Sequence, residues 1–301
     1  MMTQPETRAG FVAILGAPNV GKSTLMNKLV GAKVSIVSPK VQTTRSRVLG
    51  ICIEDQAQII FVDTPGIFAP KRRLDRAMVA AAWGGAGDAD EIMLLVDATR
   101  GVDKNTKSII DQLIKTERKA FVCINKTDIC DKPRLLVLAQ QLNETGIFDD
   151  IFMISAGTGD GLSELMSFIS ARMGIGPWLY PEDDITDMPD RLLAAEITRE
   201  KLYLKLHQEL PYATMVETES WERKDDGSVK INQIIYVERP SQKAIVLGKG
   251  GSKIKSLGEA SRQELEGLFE CRVHLFLFVK VRENWGNDPE RYREMGLEFN
   301  S

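Results

Sequence analysis

The chain has 301 residues, 43% of them hydrophobic and 27% charged, with a formal net charge of −3. That length holds two ordinary domains, the composition is globular, and the slight acidity confines any nucleic-acid surface to a local patch. Four scattered cysteines (52, 123, 130 and 271) with no C-x-x-C pair, and only two histidines, argue against a zinc site or a disulfide framework, and the polar first ten residues and the lack of a membrane-length apolar run point to a soluble, cytoplasmic protein.

The first apolar run, residues 11–15, reads as a buried strand. Gly16-Ala17-Pro18-Asn19-Val20-Gly21-Lys22-Ser23 follows, and Thr24 continues into a helix-like segment to residue 30. This is G-x-x-x-x-G-K-[ST] in the strand–loop–helix setting that a phosphate-binding loop needs. Its glycines let several N–H groups converge on a phosphate, and the helix adds its positive end. Lys22 is placed to reach the β- and γ-phosphates, and Ser23 to ligate Mg²⁺. Next, Gln42-Thr43-Thr44-Arg45 lies in a polar loop, where a threonine hydroxyl can join the Mg²⁺ shell only when the third phosphate is present. Thr44 is preferred over Thr43 for that role.

The strand at 59–62 leads into Asp63-Thr64-Pro65-Gly66. Asp63 can hold Mg²⁺ through a water, and the Gly66 N–H can reach the γ-phosphate. Lys22, Thr44 and Gly66 are thus the expected catalytic groups. The next residue is Ile67, where many such enzymes carry a water-orienting glutamine. The expectation is slow intrinsic hydrolysis with the water held by backbone or switch-loop groups, and Ile67→Gln tests whether the missing group is limiting. Residues 80–88, rich in Ala and Gly, read as looser than a firm helix. Further strands are expected at 92–96, 120–124 and 151–154, with helices at 104–116 and 135–145.

Asn125-Lys126-Thr127-Asp128 follows the strand at 120–124. The Asp128 carboxylate suits the ring N–H and exocyclic amine of guanine; adenine offers neither donor there, and sites of this kind reject analogues lacking a donor by about 10⁴–10⁵. Asn125 would brace the loop and Lys126 pack over the base. Ser155-Ala156-Gly157, after the next strand, can offer a backbone N–H to the guanine oxygen. Strand–helix alternation with the phosphate, D-x-x-G and base motifs at strand carboxyl ends defines an α/β P-loop GTPase domain, with a mostly parallel sheet and helices on both faces.

From 174 to 189 glycines, prolines and Glu182-Asp183-Asp184 mark an interdomain linker. Beyond it a helix (191–209), strands (213–221 and 230–238), a Gly-rich turn, a helix (252–269) and a strand (272–282) make a smaller α+β domain. Its turn, Gly248-Lys249-Gly250-Gly251, opens a helix bearing Lys253 and Lys255. A KH module clamps single-stranded nucleic acid with such a G-x-x-G loop. Residues 241–282 hold eight Lys/Arg against four Asp/Glu, the local patch that the bulk charge requires. On the last strand Phe276 and Phe278 share a face with His274, Lys280 and Arg282; packing against a neighbour is preferred over base stacking.

The whole arrangement resembles the Era family of bacterial GTPases. The likeness rests on the four nucleotide motifs, on Pro181-Glu182-Asp183-Asp184-Ile185-Thr186-Asp187, residues 196–202, Glu209-Leu210-Pro211-Tyr212, residues 248–255 and Trp285-Gly286-Asn287-Asp288. It implies a G domain at 8–175, a linker at 176–190, a KH domain of prokaryotic topology at 191–285 and a tail at 286–301. It also implies GTP/GDP and Mg²⁺ as ligands, binding near the 3′ end of 16S rRNA during small-subunit maturation, no DNA partner, a monomer, and loose association with the inner membrane. The rival readings are an RNA-modifying enzyme, for which no nucleophile constellation is present, and a scaffold whose second domain binds no RNA.

Overall fold

The computed structural model describes residues 6–40, 44–45, 47–70, 72–206, 214–283, 285, 288–294 and 297–299. The chain divides into two compact units: Met1–Ser35, Thr44–Asp187 and Met295–Ser301 form the first, Ile36–Thr43 and Met188–Glu294 the second.

The first unit is built on β1 (Arg8–Gly16), α1 (Lys22–Val30), β2 (Val48–Glu54), β3 (Ala57–Asp63), α2 (Arg73–Asp88), β4 (Glu91–Asp97), α3 (Lys104–Lys115), β5 (Ala120–Asn125), α4 (Lys132–Asn143), β6 (Phe148–Met153), α5 (Leu162–Arg172) and β7 (Gly174–Ile175). The sheet runs β2-β3-β1-β4-β5-β6, with β7 also on β1. All pairings from β3 to β6 are parallel; β2 and β7 are antiparallel to their partners. Alternation along the strands sends side chains to both faces. Ala13 and Leu15 of β1 and Leu94 and Val96 of β4 share one core with residues of α2, α3 and α4, while Phe121 of β5 meets Phe168 of α5 edge-on, 5.3 Å between centroids.

The run at 80–88 lies in α2, a continuous sixteen-residue helix, and corrects the looser reading. Packing overrides its weak propensity: Ala82 and Ala86 are buried, and a Cβ at Gly85 would sit 3.5 Å from Thr64 and Val62, so small residues let the helix lie close to the sheet. The expected linker is also partly strapped down within the first unit. Gln58, fully buried on β3, accepts from the Leu179 and Tyr180 amides (2.8 and 3.0 Å) and donates to the Tyr180 carbonyl (2.8 Å). Ile51 N–H donates to Ile185 O and Thr186 Oγ1 to Leu49 O, laying the strap along β2, the outermost strand.

The second unit holds α6 (Asp190–Lys205), β8 (Thr214–Arg223), β9 (Val229–Val237), α7 (Pro240–Leu247), α8 (Ser252–Phe269), β10 (Val273–Val281) and α9 (Pro289–Glu294). Its sheet is ordered β10-β9-β8, with β10 parallel and β8 antiparallel to β9. Leu202, Ile235, Val246 and Leu257 pack in one cluster, and Ala194, Ile197, Val229, Leu265 and Ile36 in another. The segment Ile36–Thr43 thus belongs here: Val37 N–H donates to Glu200 Oε1 at 2.8 Å, and Lys40 Nζ bonds the Tyr203 and Leu206 carbonyls at the end of α6. Phe276 and Phe278 are half-buried, at 47% and 50% exposure.

Candidate functional site

The residues at 16–23 turn from β1 into α1. Gly21 has φ 103, and a Cβ there would lie 2.5 Å from Asn125 Nδ2, so both backbone and neighbour require glycine. Lys22 is buried with Nζ 3.2 Å from Gly16 O and 3.4 Å from Ala17 O. Burial pushes its pKa down, and the Asp63 charge opposes this.

Ser23, Thr44 and Asp63 converge as expected. Ser23 Oγ donates to Asp63 Oδ2 at 2.8 Å, Thr44 Oγ1 to the same oxygen at 3.0 Å, and the two hydroxyls are 3.0 Å apart. The sequence reading missed Ser35, whose buried hydroxyl also reaches Oδ2, at 3.0 Å. Thr43 and Gln42 lie outside the described residues. Asp63 is fully buried; desolvation raises its pKa, and Lys22 and the three hydroxyls pull it back. Its Oδ1 has no hydrogen-bond partner among the described residues. An orphaned carboxylate oxygen beside two hydroxyls is an all-oxygen donor set, which suits Mg²⁺.

Gly66 lies against the phosphate loop: a Cβ there would meet Pro18 at 3.1 Å. Thr64 Oγ1 donates to Ile14 O at 2.8 Å and ties the turn to β1. Ile67 is held by packing. Its amide donates to Gly16 O at 3.1 Å, and its side chain, 5% exposed, sits in the core with Leu15, Ala82 and Leu94. An apolar residue here is a core residue, so it does not occupy the position of a water-orienting group. Ile67→Gln should therefore lower stability by about 1–3 kcal/mol through an unsatisfied buried amide. Chemical denaturation should reveal that loss, with no rise in hydrolysis.

Asn125, 1% exposed, is the brace expected: Nδ2 donates to Val20 O at 2.8 Å, and Oδ1 accepts the Ala156 amide at 2.9 Å. The Ala156 N–H is therefore engaged with Asn125, and the Ser155 N–H with Asp160 O. Thr127 Oγ1 anchors the loop to Ile154 O. Lys126, with φ 67, reaches Asn19 O at 3.0 Å and Asp97 Oδ2 at 2.6 Å. Asp97 was not singled out from sequence; its signal is an acidic residue ending a central parallel strand. Asp128 is exposed, and its carboxylate has no partner among the described residues.

In the second unit Gly248, Gly250 and Gly251 have φ of 72, 60 and 78. A Cβ on Gly248 would lie 2.7 Å from Lys253 Cγ, whereas Gly250 and Gly251 face open space. Lys249, Lys253 and Lys255 are exposed around the turn that opens α8.

The sheet order, the phosphate loop and the base loop define a P-loop GTPase domain, here followed by a KH domain. A family model described as "50S ribosome-binding GTPase" matches residues 11–126, and one described as "KH domain" matches residues 209–286. Curated GTPase Era proteins of Brucella suis and Sinorhizobium medicae are 60% and 61% identical over 98% and 97% of this chain and 94% of theirs. A crystal structure of Era in complex with MgGDPNP and nucleotides 1506–1542 of 16S ribosomal RNA superposes with TM-score 0.91 at 42% identity, covering 96% of this chain and 99% of that one. A variant of Aquifex aeolicus Era bound to GDP and aluminium fluoride matches equally well. The chain belongs to the Era family of GTPases.

Proposed function

We propose that this chain is a GTP-hydrolysing switch that uses GTP/GDP and Mg²⁺ and, through its KH domain, binds the 3′ region of 16S rRNA. The observation that carries this is the cluster at Asp63: two hydroxyls and an orphaned carboxylate oxygen beside a buried phosphate-loop lysine. The relatives' bound GTP analogue and 16S rRNA segment support the choice of ligands.

Lys22 supplies positive charge to the β- and γ-phosphates, and the fixed turns at 16–21 and 63–66 supply backbone N–H groups at the same place. Ser23 and Thr44 would hold Mg²⁺ directly and Asp63 through a water. Mg²⁺, when bound, neutralises charge building on the phosphate oxygens. Asp128 reads the guanine donors, and Asn125 keeps the base loop in register with the phosphate loop. Ser35 is a third hydroxyl on Asp63 Oδ2, so its loss weakens the orientation of that carboxylate.

The same reading includes action in small-subunit maturation, a monomeric cytoplasmic protein with slow intrinsic turnover, and peripheral contact with the inner membrane. GTP binding and RNA binding are linked, so RNA prefers the GTP form. Equal affinity of a 16S 3′-end oligonucleotide for the GTP-analogue and GDP forms would refute that linkage. The clamp itself is tested at Gly250, which has room for a side chain and a backbone that Asp tolerates. Gly250→Asp should weaken RNA binding about tenfold or more by placing a carboxylate near phosphate, as measured by fluorescence anisotropy at fixed salt.

A further inference from the structure

The turn after β4 touches both halves of the nucleotide site. Asp97, 2% exposed, accepts from the Thr99 amide and hydroxyl on Oδ1 (2.9 and 2.6 Å) and from Lys126 Nζ on Oδ2 (2.6 Å). Burial alone would raise its pKa, but Lys126 and Thr99 outweigh it and hold the carboxyl below its ordinary value. The same Lys126 ammonium donates to Asn19 O in the phosphate loop at 3.0 Å. Arg100 adds a second tie, donating to Pro18 O at 3.0 Å. On the base side, Ala98 N–H donates to Asn125 O at 2.9 Å.

Two of the partners are held in a costly backbone. Lys126 and Asn19 have φ of 67 and 65, in the left-handed region that lysine enters at a cost and asparagine more readily. They face each other through the Lys126–Asn19 bond. The Lys126 ammonium spans Asn19 O and Asp97 Oδ2, and Asp97 is the negative charge that fixes it there.

We infer that Asp97 is a positioning residue which, with Arg100, locks the guanine loop to the phosphate loop and sets how long nucleotide stays bound. This rests on the reading of the site as a guanine-nucleotide site. Asp97 acts through Lys126 on a region shared by GDP and GTP, so its loss speeds release of both to a similar degree. Arg100 is more exposed, bonds one carbonyl and keeps its Nε 3.8 Å from Asp97 Oδ2, so its share is smaller.

The test is stopped-flow release of fluorescent GDP and of a non-hydrolysable GTP analogue from the full chain. Asp97→Asn should speed both about tenfold, and Asp97→Glu should stay within about twofold of the parent. In a Lys126→Ala background Asp97→Asn should add less than about twofold, because its route is already cut. Release by Asp97→Asn within about twofold of the parent overturns the proposal, as does no rescue by Asp97→Glu or a full effect without Lys126. Should Asp97→Asn not fold, Arg100→Ala decides: release about threefold faster supports the lock, and unchanged release refutes it. A parent protein that binds neither nucleotide overturns the underlying reading instead.

Discussion

Asp128→Asn should lower affinity for GTP by about 10³-fold or more and, in exchange, admit xanthosine triphosphate. The carboxylate is an acceptor-only group with no protein partner among the described residues. Guanine presents two donors to it. An amide in the same place offers one acceptor and one donor, so its NH₂ faces the exocyclic amine of guanine, donor against donor. Xanthine carries an oxygen at that position and accepts from the amide. Competition binding with GTP, ATP and xanthosine triphosphate reads out the exchange. Unchanged GTP affinity would place the base elsewhere.

Asp63→Asn should act in opposite directions on stability and on turnover. Burial raises the Asp63 pKa in the folded protein, and Lys22, Ser23, Ser35 and Thr44 only partly offset this. A raised folded pKa contributes stability that is present below the unfolded value and is lost as pH rises through the folded one. At neutral pH the ionised carboxylate therefore costs the ligand-free protein stability, and its Oδ1 has no hydrogen bond among the described residues. The neutral amide removes that charge, so the ligand-free protein should gain stability, less whatever buried Lys22 loses with its counter-charge, and the gain should shrink as pH falls. The same change weakens the hold on Mg²⁺, and GTP turnover should drop about 10²-fold or more. Denaturation curves at several pH values and a phosphate-release assay separate the two effects. A variant both less stable and fully active would refute this account.

The nucleotide motifs were legible because each is a short contiguous string at the end of an apolar run, and contiguity is what a sequence displays. The parallel strands were legible for the same reason. β2 was not: Gly50 interrupts its apolar pattern, and the structure shows why, since a Cβ there would meet Val30 and Met26 of α1 at 2.8 and 2.9 Å. α7 was hidden by its eight-residue length between Pro240 and Gly248. Asp97 and Ser35 belong to no contiguous motif. They enter the site only when β4 ends beside β5 and the loop after α1 returns to β3, and no local pattern records either event. At Ile67 the string gives position after Gly66 but not direction, and the structure adds that the side chain turns into the core.

The strap at 178–186 has a consequence for the behaviour of the chain in a crowded solution. An open sheet has two outer strands whose unpaired amides can recruit another polypeptide. On one side Ile51 and Leu49 of β2 spend those groups on Ile185 and Thr186. On the other, β6 carries Asp149 and Asp150, and its register with β5 shifts between Ala120 and Val122. One margin is sealed by the chain's own backbone and the other is guarded by charge and a broken register. A strap loosened at Gln58 would leave a long, apolar strand margin able to seed self-association.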